Sequence, residues 1–267
     1  MTECKVNGPA RLRVENATLR YDERIISQDL SVAIPDGSFT VIVGPNASGK
    51  STLLRAMARV LAPSAGAVVL DGKALAQYQG KQLARTLGLL PQASIAPDGI
   101  TVADLVARGR YPHQSLFRQW SCADEEAVEA ALATTGTAGL SGRPVDELSG
   151  GQRQRVWVAM VLAQQTPILL LDEPTTFLDI AHQIELLDLC QDLNAKGRTV
   201  VAVLHDLNHA CRYATHIIAM KDGTVVAEGA PKDVVTEKMV ENVFGLPCLI
   251  IPDPVSDTPL IVPRGRG

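Results

Sequence analysis

A glycine-rich loop between an apolar strand and a helix constrains this chain more than any other feature. Residues 44–52 read Gly-Pro-Asn-Ala-Ser-Gly-Lys-Ser-Thr and match the pattern G-x-x-x-x-G-K-[ST] in full. The apolar run from Phe39 to Val43 precedes the loop, and a helix is predicted from Lys50 to Leu61. Strand, loop and helix in this order are the context that a phosphate-binding loop requires. The sequence therefore predicts an α/β fold with a nucleotide site.

The residue types in the loop divide the work of binding ATP. The loop amides and the helix N-terminus favour an anion, so they are predicted to bind the phosphates. Lys50 would neutralise the β and γ phosphates, and the Ser51 hydroxyl would hold Mg²⁺. A glycine turn formed by chance is the alternative, which the matching flanks disfavour. The predicted ATP-binding residues here are Gly44, Pro45, Asn46, Ala47, Ser48, Gly49, Lys50, Ser51 and Thr52.

Two adjacent carboxylates follow a second apolar run. Asp172 ends the run that begins at Ile168, so it can reach the magnesium ion through its water shell. Hydrolysis also needs a base or a water-positioning group, and Glu173 is placed for that role. An ordinary acidic turn at a strand end is the alternative reading of this pair.

Composition and the order of apolar segments predict the fold class. The 267 residues are 46% hydrophobic but only 4% aromatic, which suits an aliphatic parallel sheet covered by helices. We expect an α/β P-loop NTPase core with a mainly parallel sheet, an N-terminal antiparallel β subdomain and an inserted helical subdomain. The expected bounds are a single domain at 12–267, with its core at about 12–91 and 155–230, a helical subdomain at about 92–154 and a C-terminal extension at about 231–267.

Charge and cysteine content exclude several functions. The formal net charge of −4 offers no excess of positive charge, so nucleic acid is not expected as a partner. The first residues hold no apolar stretch of signal-peptide length, which predicts a cytoplasmic protein. If it works at a membrane, another chain must recruit it there. The cysteines form no C-x-x-C pair and are expected to be reduced thiols: Cys4, Cys122, Cys190, Cys211 and Cys248.

A Ser-Gly-Gly turn before another helix offers a second anion-binding helix N-terminus. It lies in the sequence Leu148-Ser-Gly-Gly-Gln152. With this motif, the phosphate loop and Leu-Asp-Glu-Pro in this order, the chain resembles the ATP-binding cassette (ABC) family from about Leu12 onward. The resemblance implies a homodimer in which each copy presents this motif to the ATP held by the other copy. The implied ATP-binding residues are Ser149, Gly150, Gly151 and Gln152.

The same resemblance implies roles for four further residues. Gln92 looks like the glutamine that senses the magnesium ion and links ATP to a partner, and Asp179 lies in a loop similar to the one that touches the opposing copy. His205 resembles the histidine that contacts the γ phosphate, and Tyr21 resembles the aromatic that stacks on adenine. Taken singly, Gln92 and His205 could be buried polar strand ends, Asp179 a helix N-cap and Tyr21 an edge aromatic. Phe177 departs from the small residue that many members carry.

The remaining histidines have no paired ligand spacing, so solvent exposure or helix capping accounts for them and no chemistry is assigned. They are His113, His182, His209 and His216.

Several segments resemble the ATPases of bacterial ferric-siderophore importers, particularly the ferric-enterobactin type. The resemblance implies two ATPase copies beneath two integral membrane permease subunits, at the cytoplasmic face of the bacterial inner membrane, with a substrate-binding protein delivering the cargo. Importers of vitamin B12 or haem, and a soluble ABC ATPase without a permease, remain open. A module that holds ATP without turnover would lack Glu173. The resembling segments are residues 106–120, 124–128, 159–164 and 204–214, and the Pro-rich ending with Gly-Leu-Pro-Cys at 245–248.

Overall fold

The computed structural model describes residues 10–92, 95–115 and 120–265. These residues divide into two compact units, the first running to Gln77 and resuming at Cys190, and the second covering Tyr78–Leu189. Cys4 and residues 116–119 of the importer-like segment lie outside the described residues. In the described part of the chain, no helix combines the length and apolar character needed to cross a membrane.

The first unit contains most of the strands. Numbered in chain order, its strands are β1 (Leu12–Tyr21), β2 (Arg24–Ile34), β3 (Phe39–Val43), β4 (Ala65–Leu70), β5 (Lys73–Ala74), β8 (Thr199–Val203), β9 (His216–Lys221), β10 (Thr224–Gly229), β11 (Cys248–Pro252) and β12 (Pro259–Pro263). Its helices are α1 (Lys50–Met57), α7 (Leu207–Tyr213), α8 (Pro231–Val234) and α9 (Glu237–Phe244). A 3₁₀ turn covers Leu75–Gln77.

An antiparallel sheet in this unit has the strand order β2-β1-β4-β5. Along β1 the apolar side chains of Leu12, Val14, Ala17 and Leu19 are buried, while the residues between them are exposed or, at Thr18, half-buried. This near-alternation buries one face of the sheet, as a one-sided antiparallel sheet requires. The predicted N-terminal antiparallel subdomain is confirmed.

A second sheet in this unit carries β3, with the order β10-β9-β3-β8. Strand β3 pairs in parallel with β8 and with β9, and β10 pairs antiparallel with β9. Every residue of β3 and β8 is buried, as the continuous apolar runs predict for strands covered on both faces. The glycine loop therefore begins directly after a buried strand end, at Val43, whose position the sheet fixes.

The second unit holds most of the helices and one pair of strands. Its elements are α2 (Gly80–Ala84), β6 (Leu87–Leu90), α3 (Val102–Ala107), α4 (Cys122–Thr134), α5 (Gly150–Ala163) and β7 (Ile168–Asp172), and α6 (Ile180–Ala195) begins in it. Strands β6 and β7 pair in parallel with Leu90 opposite Leu171. Because β6 and β7 are parallel, their carboxyl ends lie at the same edge of the sheet. Gln92, two residues after β6, and Asp172, the last residue of β7, therefore lie at that edge.

The helices of the second unit begin at recognisable caps. Thr101 accepts the Asp104 N–H at the start of α3, and Ser121 and Asp124 form a capping box on α4. Asp124 also pairs with Arg110 at 2.9 Å, and both side chains are buried. Burial alone would raise the pKa of Asp124, but the hydrogen bonds from Ser121 and Arg110 outweigh burial and lower it.

The end of one helix differs from expectation. Helix α1 ends at Met57 rather than Leu61, because Arg59 adopts a left-handed backbone (φ 59°) and the N–H groups of Val60 and Leu61 turn back to the Arg55 carbonyl. The second unit also includes β6 and β7, which the sequence assigned to the core rather than to the helical subdomain at about 92–154. The expected domain bounds themselves stay a prediction.

Candidate functional site

The glycine loop depends on backbone conformations that only glycine adopts easily. Gly44 has φ 152° and Gly49, the N-cap of α1, has φ 98°. A Cβ at Gly44 would overlap the carbonyl oxygen of Met220 on the neighbouring strand β9. The loop can therefore follow this path against β9 only with glycine at position 44.

Neighbouring segments of the first unit hold the loop from outside. The Gly223 N–H, in the turn between β9 and β10, donates to the Ser48 carbonyl at 3.1 Å. Gly223 itself has φ 77°, and a Cβ there would overlap the Ile26 carbonyl of β2. A Cβ at Gly49 would lie 3.3 Å from the Ser27 hydroxyl. The antiparallel strand β2 and the β9–β10 turn thus pack closely around the loop.

Lys50 folds back over the loop that precedes it. Its Nζ donates to the carbonyl of Gly44 at 2.9 Å and to that of Pro45 at 2.8 Å. The side chain is 5% exposed, so its positive charge is held close to the loop backbone. The first turn of α1 carries no acidic residue. The loop is therefore an electropositive cradle for an anion.

The cradle also contains an unused polar atom. The Ser48 hydroxyl is buried and has no hydrogen-bond partner within the described residues. A buried hydroxyl without a partner is costly, and a phosphate oxygen in the loop could accept its hydrogen bond. These features, on a single loop, fit the phosphates of a nucleotide.

The predicted hydrolytic residues lie in the second unit. Asp172 is the last residue of β7 and is 1% exposed. Glu173 follows in a left-handed conformation with φ 53°, which for a residue other than glycine costs on the order of 1–3 kcal/mol and is concentrated at functional sites. Its Oε2 accepts hydrogen bonds from Gln92 Nε2 at 2.8 Å and from Thr176 Oγ1 at 3.4 Å. Gln92 and Glu173, predicted separately, are therefore in direct contact.

The second anion-binding motif forms the N-terminus of α5. The Ser149 side chain accepts the Gln152 N–H at 3.3 Å, and the Gln152 side chain accepts the Ser149 N–H at 3.2 Å. This reciprocal pair is a capping box. A Cβ at Gly150 or Gly151 would make only ordinary contacts, the nearer at 3.5 Å. Packing within the chain therefore does not demand glycine here, and Gly150 is exposed while Gly151 is half-buried.

A cleft of about 540 Å³ in the second unit joins two of the predicted features, because Gln92 and Gly150 both line it. Phe177, the departure from the usual small residue, also lines it and is 80% exposed. The other lining residues are Arg153, Gln154, Trp157 and Thr176.

Asp179 precedes α6 and binds a residue that the sequence did not single out. Its Oδ1 accepts the backbone N–H of His182 at 3.0 Å and lies 2.7 Å from the His182 ring nitrogen Nδ1. These hydrogen bonds, the backbone one first, hold the pKa of Asp179 below its usual range. In the sequence, this contact could have been inferred from the histidine that lies three residues after an N-cap aspartate.

Tyr21 and His205 lie in the first unit. The Tyr21 hydroxyl accepts a hydrogen bond from Arg55 at 3.3 Å, and its ring is 41% exposed. His205 follows β8 and is exposed rather than buried, so a buried polar strand end does not describe it. Arg55 gave no signal of its own in the sequence.

No group of three or more His, Cys, Asp or Glu side chains is arranged to hold a metal ion in the described ranges. The residues predicted around magnesium, Ser51, Gln92 and Asp172, offer oxygen donors. Mg²⁺ prefers a few protein oxygens and takes its other ligands from water and phosphate, so this donor set fits it.

The fold and the loop geometry define a P-loop nucleotide-binding protein. The family model of the ABC transporter matches residues 27–176. The chain belongs to the ABC transporter family, and it is an ATPase of the ABC type.

Individual relatives cover nearly the whole chain. The ferric enterobactin transport ATP-binding protein FepC of Escherichia coli (strain K12) is 57% identical over 96% of this chain and 95% of its own length. The iron(3+)-hydroxamate import ATP-binding protein FhuC of Bacillus subtilis (strain 168) is 47% identical over 93% of each. The dimeric post-hydrolysis structure of the ATP-binding cassette MJ0796, bound to ADP and phosphate, is 28% identical with a TM-score of 0.73, covering 82% of this chain and 98% of that chain.

Proposed function

We propose that this chain is the ATP-hydrolysing subunit that powers import of an iron-siderophore complex through a membrane permease. The observation that carries the proposal is the full-length likeness to ATP-binding proteins named for ferric-enterobactin and iron-hydroxamate import. These relatives serve different iron chelates, so the ATPase scaffold is common to several cargoes. The siderophore itself is therefore selected by other chains of the importer.

The predicted residues take the following parts in the reaction. The loop amides and Lys50 bind the phosphates, and Tyr21 supports the adenine. Ser51, Asp172 and Gln92 would hold Mg²⁺, which neutralises charge on the β and γ phosphates. Glu173 orients the attacking water and accepts its proton, and His205 contacts the γ phosphate.

The contact between Gln92 and Glu173 supports a link between the partner and hydrolysis. While Gln92 Nε2 donates to Glu173 Oε2 at 2.8 Å, one lone pair of the base is occupied. Movement of Gln92 towards a bound magnesium ion would free that lone pair for water.

The α5 N-terminus implies a dimer. Ser149, Gly150, Gly151 and Gln152 would contact the ATP bound by Lys50 of a second copy, as would Asp179 from its loop. Gly150 is exposed and Gly151 half-buried, which supports this role, and a related cassette bound to ADP and phosphate is dimeric. Two such copies would bind two permease subunits at the cytoplasmic face of the bacterial inner membrane, with a substrate-binding protein supplying the chelate.

Uptake in the source bacterium tests the proposal. A strain lacking this gene is complemented with the parent or with Glu173→Gln, and uptake of ⁵⁵Fe as ferric enterobactin and as a ferric hydroxamate is measured beside uptake of haem and vitamin B12. We expect loss of at least one iron-siderophore activity, restored by the parent but not by Glu173→Gln. Normal uptake of every siderophore tested, with haem or vitamin B12 uptake lost instead, would assign the ATPase to the other importers.

A further inference from the structure

The Asp179 carboxylate makes a contact that helix capping does not require. As the residue before α6, Asp179 needs only the backbone N–H of His182, three residues on, to act as an N-cap. The His182 ring nitrogen Nδ1 nevertheless lies 2.7 Å from the same oxygen, Oδ1. The backbone bond stabilises the helix, and the ring contact additionally restricts how the carboxylate can rotate.

The Asp179 carboxylate is held by His182 but remains exposed to solvent. The His182 side chain is 33% exposed and the Asp179 side chain 66% exposed, so the restrained carboxylate still faces solvent. Holding an exposed aspartate in one rotamer costs conformational entropy and contributes little to stability. A fixed carboxylate orientation is useful if another molecule binds the carboxylate in that orientation, because the entropy of fixing it is then already lost before binding.

His182 lies beside a cavity whose lining includes charged side chains. His182 lines a cavity of about 400 Å³ together with Arg155 from α5 and Glu185 from α6. The positive charge of Arg155 also acts on Asp179 and helps to keep it ionised. The other lining residues are Ala133, Thr134, Thr135, Gly136, Val158, Leu186 and Leu189.

We propose that His182 is a positioning residue for ATP hydrolysis, holding the Asp179 carboxylate in the orientation that the second copy meets. This inference rests on the proposed function, because it needs Asp179 to lie at the contact between two copies. The ring can donate from Nδ1 both as the neutral Nδ1–H tautomer and as the imidazolium.

Substitutions at position 182 can separate the ring contact from the helix cap. Every variant keeps the backbone N–H that caps α6. Asparagine places an amide nitrogen close to the position of Nδ1, whereas leucine fills similar space without a donor. His182→Asn is thus the conservative variant, and His182→Leu removes the interaction.

Steady-state ATP hydrolysis and thermal unfolding are measured for the parent, His182→Leu, His182→Asn, Asp179→Asn and the double variant His182→Leu/Asp179→Asn. We expect His182→Leu to lower kcat about tenfold, the factor expected from one lost charge-assisted hydrogen bond, with KM within about twofold. His182→Asn should stay within about threefold of the parental kcat, and His182→Leu should lower kcat no further in the Asp179→Asn background.

Each contrary outcome has a distinct meaning. Parental kcat in His182→Leu, additive losses in the double variant, or no rescue by asparagine would overturn the positioning role. A lowered melting temperature that accounts for the lost activity would assign His182 a structural role instead. A parent that hydrolyses no ATP, alone or with its permease, would refute the proposed function itself.

Discussion

Replacing Lys50 with methionine tests the phosphate loop, because it removes the ammonium and keeps most of the buried stem. In the free protein Nζ is bonded to the carbonyls of Gly44 and Pro45 at 2.9 and 2.8 Å, so ATP binding exchanges these neutral acceptors for ionised phosphate oxygens. The variant loses the charge-assisted contact between the ammonium and the phosphates, and such contacts contribute about 1.5–3 kcal/mol. A loss of this size raises the Kd for ATP about 10- to 150-fold.

Isothermal titration of the variant with MgATP measures this loss, and Lys196→Met, an exposed lysine after α6, is the matched control. The control should bind ATP as the parent does, and both variants should unfold cooperatively. A Kd for Lys50→Met within about threefold of the parent corresponds to only about 0.7 kcal/mol and would refute the role of Lys50.

Three further substitutions have separate expected outcomes. Glu173→Gln should keep a Kd for MgATP within about threefold of the parent and lower turnover at least about 100-fold. In gel filtration with MgATP it should run as a dimer. Dimers that turn over ATP at the parental rate would contradict the role of Glu173. Gly44→Ala, whose Cβ overlaps Met220, should lower the free energy of unfolding by about 2 kcal/mol in urea and weaken ATP binding, so unchanged values would argue against the loop geometry. Arg110→Met should lower the free energy of unfolding by about 3 kcal/mol at pH 7, because it leaves the Asp124 charge buried without its partner. Since the pKa of Asp124 is lowered in the folded protein, the ion pair stabilises the fold above pH ~4. The difference in unfolding free energy between parent and variant should therefore shrink as the pH falls further.

The local features that the sequence predicts well are those written in a contiguous motif. In each case the residue pattern and the residues beside it favour the same local structure. The examples are the phosphate loop, the Ser149 cap of α5 and the buried strands β3, β7 and β8. The α/β class follows from them, since apolar strands without alternation need cover on both faces.

The features that the sequence did not reveal depend on contacts between distant segments. Gly223 lies far along the chain from Ser48, and nothing in either segment indicates that its amide binds the loop. The end of α1 was placed too late, because Arg59 turns left-handed without a glycine to signal it. His182 was assigned no chemistry because it has no paired ligand spacing in the sequence, and its ring contact with the Asp179 carboxylate is seen only in the structure.

The central claim is that ATP is hydrolysed between two copies, and mixing two inactive variants tests it most directly. Lys50→Met damages the loop of one copy, and Ser149→Arg damages the α5 N-terminus that would face the other. A mixed dimer with one lesion on each chain has one site with both defects and one with neither. Random association of equal amounts makes half of the dimers mixed, so hydrolysis should return to about a quarter of the parental rate. Hydrolysis that stays at the level of the separate variants, while cross-linking shows that mixed dimers form, would contradict independent sites shared between copies.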